Sequence, residues 1–247
     1  MIFPALSLQN ILLYLLFTLM AVGMGVSEWL GLMTMRYSKF RPEKGISSRL
    51  GMFLLYFVPL LGVLFFSLPY LAHPTLVQLL VVLAVGVHFL KRCLEVLFLH
   101  KYSGPIDVFS AVSIGMYYSL NASVISALNA SPLARADGWV WLGLLFFTTG
   151  LAGNFLHHKI LADLRIHTSE YFLPRGGLFD YVVCPHYLFE LLTWLGIALL
   201  SRHLFAWLVL MGMTGYLLAR SLNTLKWYRQ KFPALPEDRK ALIPFVL

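Results

Sequence analysis

Four stretches of this chain set polar side chains at helical spacing inside otherwise apolar sequence. Asn154, His158, Leu161 and Arg165 share one stripe, with His157 beside it. His186, Glu190 and Thr193 form a second, opened by Cys184-Pro185 and followed on its first turn by Tyr187. His88, Lys91, Arg92 and Glu95 stand at i, i+3, i+4 and i+7, and Arg220, Thr224 and Tyr228 at i, i+4 and i+8. Such spacings place each set on one helix face. Burying these groups without partners would cost on the order of several kcal/mol each, so four matched stripes argue for helices that converge on one polar chamber. Its Arg, Lys, His, Asn and Tyr donors suit phosphates and an amide-bearing ring, because Arg and Lys make charge-assisted hydrogen bonds to phosphate oxygens. A neutral tyrosine suits a donor role in an apolar pocket, since a phenol pKa near about 10 keeps its proton at neutral pH. Tyr187 reads equally well as an aromatic at the membrane interface, as does Tyr56. Lys91 and Glu95 also read as an ion pair snorkelling toward the interface.

Metal chemistry is not expected. His157 and His158 are adjacent, so on a helix they point about 100° apart, and no HExxH motif accompanies them. No GxGxxG after a strand and no GxxxxGK[ST] occurs, which excludes the usual nucleotide-binding loops. Pro174-Arg175-Gly176-Gly177 marks a tight turn whose backbone can approach a ligand closely.

The elements that position these residues are membrane helices. The chain has 247 residues, of which 59% are hydrophobic and 12% charged. Its mean hydropathy is +0.76. A soluble domain carries about 25% charged residues, so composition alone indicates a membrane protein, and its long apolar stretches an all-α polytopic one. About 20 apolar residues cross a bilayer, and the periodicity expects about seven transmembrane helices, near 5–32, 50–71, 75–100, 106–130, 138–164, 183–201 and 204–228. They leave no room for a separate soluble domain. The first apolar run lacks a small-residue cleavage site and reads as a retained helix. Cys93 and Cys184 read as packing residues. Asn121-Ala-Ser and Asn129-Ala-Ser match the glycosylation pattern in poor contexts.

Seventeen of the 19 Lys and Arg fall toward one membrane face, and only Arg135 and Arg202 toward the other. The positive-inside rule then expects a cytoplasmic C-terminus and a lumenal or outside N-terminus. The net charge of +8 is explained by these loops and not by nucleic acid. The residues by themselves lead to a polytopic protein with a cytoplasm-facing site for an anionic ligand beside lipid.

The chain resembles the membrane-bound steroid 5α-reductase family, which shares its C-terminal domain with very-long-chain enoyl-CoA reductases and polyprenol reductases. Arg239-Lys240-Ala241-Leu242-Ile243-Pro244-Phe245, Pro174-Arg175-Gly176-Gly177-Leu178-Phe179 and the Asn154…Arg165 helix are similar to steroid reductases. Val87-His88-Phe89-Leu90-Lys91-Arg92…Glu95…His100 and Cys184-Pro185-His186-Tyr187 are more similar to the enoyl-CoA reductases. With Tyr37-Ser38-Lys39-Phe40 and the segment 47–56, the chain looks closest to a plant-type, 3-oxo-5-alpha-steroid 4-dehydrogenase-like branch, with coverage from about residue 37 to the end.

The resemblance implies one integral membrane domain over 1–247. Helices one to four (about 5–130) would form the substrate side, and 138–247 the NADPH-binding part. It carries the cofactor role to Arg92, Asn154, Arg165, Tyr171, Glu190, Arg220 and Tyr228. His158 and His186 join this set, although the steroid enzymes have Asp and Asn there. The family's steroid enzymes hold the substrate carbonyl with a Glu in helix two and a Tyr in helix three; the matching positions here are Tyr56 and Phe89. The resemblance leaves as catalytic donor either Tyr56 itself or Tyr187, which is similar in position to a tyrosine of the enoyl-CoA reductases' Cys-Pro-Asn-Tyr segment. The implied reaction is NADPH-dependent reduction of a carbon–carbon double bond conjugated to a carbonyl. The favoured substrate is a 3-oxo-Δ4 steroid, followed by a very-long-chain trans-2-enoyl-CoA, for whose nucleotide end the basic loop at 36–49 is a candidate. A non-enzymatic sterol or lipid binder would not need the cofactor set. The implied setting is the endoplasmic reticulum membrane, or the inner membrane of a bacterium. The implied partner is a lipid substrate from the bilayer, with no nucleic acid and no obligate protein partner.

Overall fold

The computed structural model describes residues 1–32, 34–131, 135–165 and 170–247. Among the described residues seven long helices follow one another: α1 (Leu8–Leu30), α2 (Ser48–Leu71), α3 (Leu76–Leu94), α4 (Val108–Leu128), α5 (Gly138–Asp163), α6 (Pro185–Ser201) and α7 (Leu204–Lys231). α3 continues as one wider π turn over Glu95–Leu99, and short 3₁₀ turns occupy Ser38–Phe40 and Gly177–Asp180. Among the described residues six helices are long and apolar enough to cross a membrane. α6 has 17 residues, which is about 25 Å at 1.5 Å per residue and sits at the short end of the spanning range.

The starts are written in the sequence. Ser7, Asp107 and Asp137 accept the backbone N–H three residues on, Thr75 and Gln78 form a capping box, and Pro185 occupies the first turn of α6. Leu8, Leu12, Leu15, Leu19 and Val26 of α1 and Leu54, Leu61, Phe65 and Leu68 of α2 are exposed, as lipid-facing side chains must be.

α5 packs on α6, α2 on α4, and α1 on α7. Glycine allows the first of these to be close: a Cβ at Gly196 would lie 2.4 Å from the Phe147 backbone nitrogen, and one at Gly150 2.5 Å from that of Thr193. The chain's end is tied to the start of α6. Val183 and Cys184 donate to the carbonyls of Lys240 and Ala241 (2.9 and 3.1 Å), and Arg239 donates to the Pro174 carbonyl (3.2 Å).

Both glycosylation patterns fall on buried asparagines. Asn121 lies inside α4, and Asn129 donates to the Tyr70 hydroxyl and the Gln78 carbonyl. Neither amide is presented to solvent.

Candidate active site

The α3 stripe is a buried network. Lys91 pairs with Glu95 Oε1 at 2.8 Å, and both are largely buried where a snorkelling pair would reach water. Lys91 also donates to Asn154 Oδ1 of α5. Arg92 donates to Glu95 Oε2 (2.5 Å) and, through Nη2, to the Tyr56 hydroxyl of α2 (2.9 Å). Asn154 Nδ2 donates to the His186 carbonyl (2.9 Å) and to Glu190 Oε2 (3.2 Å). Glu190 Oε1 accepts from Trp194 Nε1 at 3.1 Å and lies 3.4 Å from His88 Nε2. Lys91 and Arg92 thus balance Glu95 and Glu190, which is what a low-dielectric site requires of its charges.

The network backs a cavity of about 210 Å³. Of the sequence-derived site residues, Tyr56, Arg92, Asn154, His158, Arg165, His186, Tyr187, Glu190 and Arg220 line it. Tyr171 and Tyr228 do not; they stand behind it. The Arg165 guanidinium stacks on the Tyr171 ring, 4.0 Å from its centroid, and the Tyr171 hydroxyl pairs with Ser103 Oγ at 3.0 Å. Burial pushes the Tyr171 phenol up, but hydrogen bonds with Ser103 and Ser38 and the cations Arg165 and Lys39 bring it below its ordinary value. Tyr228 is buried with Val183, Cys184 and Leu235, and Lys39 Nζ lies 5.1 Å from its ring centroid.

Glu95, His100 and His158 bring ligand-type atoms within 4.8 Å of one another. Arg92 Nη1 already lies 2.5 Å from Glu95 Oε2 and 2.7 Å from His158 Nδ1. Two of these three groups are therefore already engaged by the Arg92 guanidinium.

Glu28 and Tyr216 were not singled out in the sequence, and Lys39 and Arg41 only as part of the basic loop at 36–49. Arg220 donates to Glu28 of α1 at 3.0 Å, both 1% exposed, and lies between the rings of Tyr37 and Phe40. A lone acid in an apolar helix was the available signal for Glu28. Tyr216 stands one turn before Arg220 on the same stripe, and its hydroxyl meets that of Tyr37 at 3.2 Å. Lys39 also lines the cavity. Burial holds its pKa below the ordinary lysine value; Cys184 and Tyr171 pull it the other way, and Arg165 and Arg220 add smaller lowering contributions. Arg41 and Lys231 lie 5.8 and 5.7 Å from the Tyr171 ring centroid. These loop cations carry no periodic signal.

The cavity is polar on its α3, α5 and α6 walls. On α2 and α4 it is lined by Ser48, Met52, Leu55, Tyr56, Ile114 and Tyr118. That arrangement can hold an anionic, amide-bearing group against one wall and an apolar molecule against the other.

Residues 105–247 match the family model described as 3-oxo-5-alpha-steroid 4-dehydrogenase. The chain is 30% identical over 175 residues to a very-long-chain enoyl-CoA reductase of Dictyostelium discoideum, covering 69% of this chain and 58% of that protein. It is 34% identical over 152 residues to steroid 5-alpha-reductase DET2 of Solanum lycopersicum (59% and 58%). It is 32% identical over 167 residues to 3-oxo-5-alpha-steroid 4-dehydrogenase 1 of Rattus norvegicus (65% and 64%). The chain thus spans about six-tenths of the length of the relatives it matches.

Proposed function

The chain belongs to the 3-oxo-5-alpha-steroid 4-dehydrogenase family, and from that premise we propose that it reduces a carbon–carbon double bond conjugated to a carbonyl in a membrane-soluble lipid, using NADPH. The observation that carries this reading is one cavity shared by the charged α3–α5–α6 network and the apolar α2–α4 wall. The donor set fits the cofactor. Lys39 and Arg165 line the cavity with no carboxylate partner among the described residues, and such cations suit phosphate oxygens. Arg92, Asn154, His158, His186, Glu190 and Arg220 would complete the holding set, with Tyr171 and Tyr228 supporting Arg165 and Lys39 from behind. When bound, NADPH supplies a hydride.

The chain's own part begins at the carbonyl. As the double bond is reduced, negative charge develops on the carbonyl oxygen, and a hydrogen-bond donor placed there lowers the barrier. Tyr56 is suited to this. Its oxygen accepts from Arg92, which leaves its own proton free to donate, and Arg92 is held in turn by Glu95. A positive neighbour at the phenol oxygen strengthens it as a donor. Tyr187 lines the same cavity beside His186, with ring centroids 4.3 Å apart, and is the second candidate. A proton then completes the α carbon.

A 3-oxo-Δ4 steroid is the substrate class that needs only an apolar slot and one carbonyl partner, and it is our first choice. A trans-2-enoyl-CoA is the second, supported by Lys39 and Arg41 of the loop at 36–49 meeting Arg165 and Lys231 around Tyr171. The charge distribution supports placing those loops and the C-terminus in the cytoplasm, within the endoplasmic reticulum membrane or a bacterial inner membrane. The test is incubation of detergent-purified protein with NADPH and either substrate, with products identified by mass. Reduction of the steroid is expected; turnover of the enoyl-CoA alone would reverse the order of the two. An absence of both turnover and NADPH binding would leave only a lipid-binding role.

A further inference from the structure

The apolar wall holds a second phenol that the reaction above does not use. Of the six cavity-lining residues of α2 and α4, Ser48, Tyr56 and Tyr118 carry hydroxyls. The Ser48 hydroxyl is spent on the Gly104 carbonyl at 2.6 Å. Tyr56 is held by Arg92. The Tyr118 hydroxyl makes no hydrogen bond with any described residue. Its ring is fixed on two sides, 5.7 Å from the Tyr56 ring at a tilt of 31° and 5.7 Å from Phe89 at 71°. Two phenol rings therefore lie side by side, tilted by 31°, on the α2–α4 wall, whose other lining residues offer no free hydroxyl among the described residues. Elsewhere Tyr37 and Tyr216 take up each other's hydroxyls.

We infer that Tyr118 is a further catalytic residue, the second of two phenols that hydrogen-bond the carbonyl oxygen of an α,β-unsaturated carbonyl substrate. A free hydroxyl beside hydrocarbon has no stable arrangement except with water or a polar atom of a ligand. An apolar substrate with a single carbonyl brings one such atom, with two lone pairs to share between Tyr56 and Tyr118. Both bonds strengthen as negative charge builds on that oxygen, and both rings are already fixed, so neither donor has to reorganise. Arg92 makes Tyr56 the stronger donor, and Tyr118 sets the direction of the carbonyl across the cavity.

The inference rests on the proposed reductase reading, and its test separates the two. Tyr118→Phe keeps the ring that packs on Tyr56 and Phe89, so folding and NADPH binding should be preserved. With whichever enone substrate the wild type turns over, kcat/KM is expected to fall by roughly a hundredfold, the effect typical of losing one preorganised donor. A fall of less than about threefold, with the wild type active, overturns the role of Tyr118 and leaves the reductase reading intact. Ligand binding gives a readout independent of turnover. The saturated carbonyl product of that substrate and the same molecule with a methylene in place of the carbonyl are compared for wild type and Tyr118→Phe. The wild type is expected to favour the carbonyl compound and the variant to lose most of that preference. An equal preference in both proteins, or none in the wild type, overturns the inference.

Discussion

Removing the carboxylate of Glu28 should loosen the whole bundle. Glu28 Oε1 accepts from Arg220 at 3.0 Å and, at 3.4 Å, from Asn223; its carbonyl also accepts from Asn223 at 3.3 Å. Glu28 Oε2 accepts from the Met35 backbone at 3.4 Å. Both charged residues are 1% exposed, so Glu28→Ala leaves a buried guanidinium without a counter-charge. Such a loss costs about 3–5 kcal/mol. For a chain of this size about 2–4 °C of melting temperature goes with each kcal/mol, so the midpoint should drop by roughly 6–20 °C. Glu28→Gln, which still offers an amide oxygen, should lose less. Glu28→Met combined with Arg220→Met should recover most of the loss, because an apolar pair restores a site with no unpaired charge. Cys93 and Cys184 are free and buried, so a thiol-reactive dye reports the transition in detergent. A shift under about 2 °C for Glu28→Ala, or a double variant as unstable as Glu28→Ala, would refute this reasoning.

Gly196→Ala should lower the melting midpoint by about 2–12 °C, from about 1–3 kcal/mol of overpacking, because its Cβ meets the Phe147 backbone nitrogen at 2.4 Å. Gly23→Ala, with nothing within 4 Å, should not lower it. Arg165→Ala should weaken NADPH binding by about tenfold to a hundredfold, from a charge-assisted bond of about 1.5–3 kcal/mol. The cofactor-free melting point should fall by no more than about 1–4 °C, because among the described residues the guanidinium makes one 3.4 Å bond, to the Lys101 carbonyl, and a stack on the Tyr171 ring worth about 0.5–1 kcal/mol; unchanged affinity by fluorescence titration would count against the phosphate role. Acid should destabilise the protein through His100, whose pKa burial, His158 and Arg92 hold well below the ordinary histidine value. Below about pH 6.5 the unfolded chain binds the proton that the folded one refuses, so stability falls as pH falls. The melting point from pH 7.5 to 5.5 should therefore decline less steeply in His100→Gln than in the wild type, and equal slopes would contradict it.

The helices and the α3, α5 and α6 stripes were legible because a 3.6-residue period turns sequence spacing into one face, and a polar face in an apolar helix stands out. Helix starts are also set locally, since Asp107, Asp137 and Thr75 cap within three residues, but in the sequence hydropathy alone places them. Lys91–Glu95 illustrates the limit. Its spacing fits a surface pair and a buried one equally, and only the arrival of Asn154 from α5 decides between them. Glu28 and Arg220 are 192 residues apart, so no local pattern joins them. Tyr118 follows Tyr117 on a helix with little amphipathic bias, and its free hydroxyl is visible only once α2 and α4 are packed. Lys39 and Arg41 sit in a loop, where no period applies, and find Tyr171 only through the fold.

The most direct test of the proposed reaction follows the two hydrogens separately. The protein is given NADPH deuterated on the transferable position with an enone substrate in ordinary water, and the experiment is repeated with unlabelled NADPH in deuterium oxide. The account predicts cofactor deuterium at the β carbon, solvent deuterium at the α carbon, and a carbonyl left intact. Cofactor deuterium on a carbinol carbon, or none in any product, would contradict it.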